Sequence, residues 1–121
     1  MDFNAADLIH KQIVLDLTMR TLERDKKHVT DLKMQRAFEL WFETKIKELH
    51  TEYKSVKSQL AKNGIKIQAE NKVDELITEY VILERGKTFT RRYMNVALRN
   101  WTGEEVKRLL QLPYKTSNDL K

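Results

Sequence analysis

From Met34 to Leu60 the apolar residues advance in steps of three and four: Met34, Phe38, Trp41, Phe42, Leu49, Tyr53, Val56 and Leu60, with Ile46 at the edge. That spacing returns to one side of a helix at every turn, so the stretch is a long helix with a single apolar face. The face has to be covered, and the rest of the chain has to supply the cover. The helix stops at Asn63-Gly64, where glycine can take the left-handed conformation that closes a helix.

An earlier helix precedes it. Asn4 can cap its start, with Asp7 at the third helical position and Phe3 and Leu8 placed as a hydrophobic staple. Leu8, Leu15, Leu22 and Val29 recur every seventh residue with Met19 between them, and Ile9, Ile13 and Leu17 form a second stripe. The first half of this helix is therefore covered on two sides. Asp7 with Lys11, Asp16 with Arg20 and Glu23 with Lys27 are pairs four apart, ordered favourably on its wet faces. Between residues 26 and 30 the apolar members drop out, and Thr30 can cap the next helix with Val29 and Met34 as its staple. A continuous helix through this point would be a rod of about 85 Å, too long for a compact chain of 121 residues. A helical hairpin over residues 4–63 is expected instead.

After Gly64 the period changes to two. Ile65, Ile67 and Ala69 alternate with Lys66, Gln68 and Glu70, as in a half-covered strand, and a polar stretch follows over residues 70–74. Residues 76–84 are rich in β-branched and aromatic side chains, Arg85-Gly86 reads as a two-residue turn, and residues 87–93 return. That register sets Glu84 opposite Lys87 and Glu79 opposite Arg92, with Tyr80, Ile82, Phe89 and Tyr93 on one face. Residues 94–100 are helical in pattern. Thr102 and Glu105, with Trp101 and Val106, then form a second helix-start signature, and the last helix ends near Leu112-Pro113. The fold class is α+β: a long antiparallel helical hairpin packed on a small three-stranded antiparallel sheet (residues 65–93), with one or two short C-terminal helices (94–112). Residues 1–113 make a single domain, and 114–121 a mobile tail.

Composition narrows the function. Cysteine is absent, which removes disulfides, thiolate catalysis and thiolate metal sites together. No apolar run is long enough to span a membrane and no secretory leader opens the chain, so a cytoplasmic location is expected. The three histidines, His10, His28 and His50, lie on helices far apart in sequence. Asp25 and His28 have a spacing used in helical metal sites, but such a site needs matching ligands on a facing helix. Glu39 with Glu43 and Glu48 with Glu52 could supply carboxylates, yet they sit on lysine-interleaved faces that read as solvated. Gly86-Lys87-Thr88 lacks the preceding glycine and the following helix of a phosphate loop. Neither a catalytic set, a cofactor, a metal nor a small-molecule substrate is expected.

The charge is uneven. From Arg85 onward nine basic residues face three acids (Glu104, Glu105 and Asp119), whereas residues 1–84 hold fourteen basic and fifteen acidic ones. Arg85, Lys87, Arg91, Arg92 and Arg99 are interleaved with Phe89 and Tyr93. Cations neutralise phosphates and aromatic faces stack on bases, so a nucleic-acid interface on this ribbon is one expectation. Its bland counterpart is that Glu79 and Glu84 pair with the cations while Phe89 and Tyr93 fill the core. The other expectation is a protein interface. One small sheet and one partner helix leave part of the long apolar face open, so Phe38, Trp41, Phe42, Leu49, Tyr53 and Val56 are candidates for contact with a second copy or a foreign helix.

The segment Tyr93-Met94-Asn95-Val96-Ala97-Leu98-Arg99-Asn100, together with Leu8-Ile9-His10-Lys11-Gln12, resembles small uncharacterised proteins of Gram-positive bacteria and their prophages. The resemblance implies a bacterial, cytoplasmic protein of mobile-element origin and carries over no activity or site residue. Taken together, the leading expectation is a non-enzymatic interaction protein that self-associates, and the alternative is a nucleic-acid-binding accessory protein.

Overall fold

The computed structural model describes residues 4–116. Helix α1 runs Ala5–Lys26, and the Asn4 side chain accepts a hydrogen bond from the Asp7 amide at 3.1 Å. The cap signature is therefore realised, while the Phe3 half of the proposed staple lies outside the described residues. Ile9, Ile13, Val14, Leu15 and Leu22 are all buried, so both stripes of this helix are covered.

The chain turns over a short 3-10 segment, Val29–Asp31, and returns as α2, Gln35–Lys62. The hairpin forms as expected, but Thr30 does not cap. It sits within the 3-10 turn, and Met34 occupies the cap position without a side-chain acceptor. Burying Val29 draws residues 29–31 into their own turn and delays the helix start by a full turn. At the other end Gly64 has φ +74, the conformation expected there.

Three strands follow, β1 (Ile65–Lys72), β2 (Ile77–Glu84) and β3 (Lys87–Met94), in the order β1-β2-β3 and antiparallel throughout. Arg85 (φ 50) and Gly86 (φ 83) close the second hairpin with two left-handed residues, the geometry whose twist suits adjoining strands. Glu84 stands opposite Lys87 and Glu79 opposite Arg92, as the two-residue loop requires. β1 is longer than expected and bulged. Ile67 pairs with Ile82 but Ala69 pairs with Val81, so Gln68 is an extra residue. The bulge turns Ala69 to the face opposite Ile65 and Ile67, and brings Glu70 across from Tyr80.

The last helix is single. α3 spans Asn95–Leu109 without interruption. Thr102 lies in mid-helix and donates its hydroxyl to the Leu98 carbonyl at 2.8 Å, so the expected break there does not occur. Leu98, Thr102 and Leu109 are buried on one side, and continuing the helix keeps them there. Tyr114 to Thr116 are exposed, but the Lys115 amide donates to Glu104 Oε1 at 2.7 Å, so the start of the expected tail is tethered.

The core joins Ile9, Ile13, Leu15 and Leu22 of α1 to Leu49, Val56 and Leu60 of α2, Ile65, Tyr80, Ile82 and Tyr93 of the sheet, and Leu98 and Leu109 of α3. All helices thus pack on the sheet face that carries Tyr80, Ile82 and Tyr93. Among the described residues no helix is long and apolar enough to cross a membrane.

Candidate functional site

The ribbon does not gather its cations on one face. Side chains of adjacent strand residues leave opposite faces, and Arg91 and Arg92 are adjacent. Arg91 turns to the helical side, where its Nη1 donates to the Ala6 carbonyl at 3.0 Å and its guanidinium lies 5.5 Å from the Tyr93 ring. Arg92 turns outward and its Nε donates to Glu79 Oε2 at 2.7 Å. Lys87 is exposed near the turn. The Arg85 amide donates to the Gly64 carbonyl at 2.9 Å, which ties the turn to the helix–strand junction. Arg99 belongs to α3 and lines different cavities.

The two aromatic candidates also separate. Tyr93 is buried between Tyr80, Trp101 and His10, with ring centroids 5.8, 5.7 and 5.9 Å away. A base has no access to its face. Phe89 is 39% exposed beyond the edge of the helical layer, opposite Ile82.

The long apolar face divides just as sharply. Leu49 (0% exposed) and Val56 (3%) are core residues and cannot meet a partner, so they leave the candidate interface. Tyr53 is half-buried, with the Lys57 ammonium 5.9 Å from its ring. Towards the hairpin tip the cover runs out. Trp41 and Phe42 are half-buried and meet edge to face at 5.2 Å, while Phe38 is 46% and Met34 69% exposed. Leu32 and Leu40 are exposed as well. The sequence stripe included Met34, but Leu32 and Leu40 lie off its period and no pattern marked them. Lys26 and Glu43 close the side of this arm with an ion pair at 3.4 Å.

Two further groupings arise from contacts that sequence spacing does not reveal. Arg20 bonds Asp16, four residues earlier, and also clasps Glu70, with both Nη atoms on its two oxygens at 3.2 and 2.6 Å. Burial does not offset these bonds, and the guanidinium is held even more firmly protonated than usual, chiefly by Glu70. On the other side of the core, Arg108 joins Glu105 and Glu52 and thereby links α3 to α2. Three cavities flank α1. One of about 410 Å³ lies between the N-terminal half of α1 and α3, around Trp101 and Arg108; one of about 440 Å³ lies between α1, α2 and β1. The third, about 280 Å³, lies between α1, the sheet and the start of α3. Among the described residues no group of three or more His, Asp or Glu side chains is placed to hold a metal ion.

Fold and surface define a class: an α+β domain with a helical-hairpin arm projecting past a three-stranded sheet, apolar at the arm's tip. The model of the YhjD protein family matches residues 2–114, and the chain belongs to that family. Neither a curated protein nor a solved structure matches it.

Proposed function

We propose that the protein is a non-enzymatic interaction module whose helical arm docks on a second copy of itself. One observation carries the reading: the apolar face of α2 is buried at Leu49, Val56 and Leu60 but open at Met34 and Phe38. An apolar stripe longer than its cover is an unfinished interface. Charges beside the open part are of both signs, with Lys33 and Arg36 next to Glu39 and Glu43. Such a surface is able to complement itself across a two-fold axis. A cytoplasmic setting belongs to this reading and agrees with the absence of cysteine. The competing idea, nucleic-acid contact through the ribbon, needs one basic face and is left with Arg85 and Lys87 at its tip.

Light scattering coupled to size exclusion tests the proposal with Phe38→Glu, and Leu112→Glu serves as a control at another half-exposed apolar residue. Truncating or charging a central aromatic contact is expected to weaken association at least about tenfold, while the control stays as the unaltered protein. Equal weakening by both would reduce the effect to general stickiness and overturn the reading.

A further inference from the structure

The 280 Å³ cavity brings three features together, although Tyr80 also borders the 440 Å³ cavity. Its floor is formed by buried Thr78, Tyr80, Leu98 and Thr102. Tyr80 is 3% exposed, and its hydroxyl has no hydrogen-bond partner. Arg20, Arg24 and Arg99 stand around the cavity against a single carboxylate, Glu70. Glu70 is occupied by Arg20, so its charge is already answered. The side chains of Arg24 and Arg99 make no hydrogen bond or ion pair with any described residue.

An unsatisfied buried donor is costly and ordinarily marks a missing partner. A partner that accepts a hydrogen bond suits the protonated phenol, and a negative one suits the two guanidinium groups beside it, which have no partner among the described residues. We infer that this cavity binds a phosphate group, free or as a phosphomonoester, through Arg24, Arg99 and the Tyr80 hydroxyl. The donors come from three elements, α1, β2 and α3, and so approach from different directions. A tetrahedral oxyanion offers acceptors in all of them, whereas a carboxylate offers acceptors only in its plane. The recessed position of Tyr80 favours a terminal phosphate over a diester inside a polynucleotide, which presents only two free oxygens. Asn95, which opens α3, also lines the cavity, so the positive end of that helix adds to the field.

Titration calorimetry on the full chain decides the matter, with inorganic phosphate and glycerol phosphate as probes. Acetate and an oligonucleotide without terminal phosphate serve as comparisons. Saturable binding of a phosphate probe is expected, weakened about tenfold by Arg24→Gln and again by Arg99→Gln, and several-fold by Tyr80→Phe. Both arginines are exposed, so these variants keep the fold, and an unchanged melting temperature verifies it. Tighter binding of glycerol phosphate than of phosphate assigns a monoester, and equal binding assigns the free ion. No saturable binding of either probe, binding indifferent to both arginine changes, or equal binding of acetate or the oligonucleotide would each overturn the assignment.

Discussion

Tyr80 shows how a single side chain can serve the core and still leave something undone. Its ring packs at 5.8 Å from Tyr93 within the core, yet its hydroxyl is buried without a bond. Removing that hydroxyl relieves a desolvation cost of about 1–3 kcal/mol rather than losing a bond. Tyr80→Phe is therefore expected to leave the ligand-free melting temperature unchanged or higher, and a clear fall in calorimetry would mean that the hydroxyl already has a partner. Titration gives a second test. Burial first, and then the charge of Glu70, push the Tyr80 phenol up, and burial does the same to Tyr93. A phenol whose folded pKa lies above its unfolded value holds its proton more tightly in the native state. Its contribution is complete below the ordinary tyrosine value of about 10 and is lost as pH rises through the folded pKa. Urea unfolding at stepped alkaline pH should show stability declining above that value, with a shallower decline in Tyr80→Phe. Gln111 offers a simpler case. It closes α3 at φ 61, with the Leu112 amide donating to the Lys107 carbonyl at 2.9 Å. Glycine adopts that conformation without a steric penalty, so Gln111→Gly is expected to add about 1 kcal/mol in thermal melts.

Among the secondary-structure elements, what was legible in the sequence depended on whether local or distant forces set it. The β2–β3 register followed from Arg85-Gly86, because a two-residue loop leaves no freedom in pairing. The α1 start followed from Asn4, and the α2 face from its spacing. Other features were set by burial elsewhere. Thr102 and Glu105 have the spacing of a helix start, yet α3 runs through them because Leu98 and Leu109 must both reach the core. The Gln68 bulge carries no turn residue, and only pairing with β2 reveals it. Arg20 and Glu70 are fifty positions apart, beyond any periodic pattern. The opposite directions of Arg91 and Arg92 were available from strand period alone. Counting charges without that period made a cluster of residues that point apart. One element also lacks a local signal it could use: α2 begins at Met34 without a capping side chain. Met34→Asp is expected to stabilise the fold by about 1 kcal/mol, read by denaturant unfolding of dilute protein. The same change removes an exposed apolar group and should weaken self-association, so the two effects have opposite signs in two assays.

As an assembled unit, the protein is a sheet with helices on one face and an arm that outreaches them. α2 is 28 residues long, about 42 Å at helical rise, whereas each strand has eight residues, or about 27 Å. The open part of the α2 face, at Met34 and Phe38, is therefore at the end away from the junction with β1. Sequence periodicity showed that an apolar face existed. It could not show where the cover ended, because that depends on the length of a sheet whose first strand is bulged and on a third helix that packs along α1. Sedimentation equilibrium of the unaltered protein across a wide concentration range tests this most directly. Self-association through the arm requires an apparent mass that climbs above the 14.4 kDa of one chain as concentration rises. A mass that stays at 14.4 kDa at every concentration would contradict it.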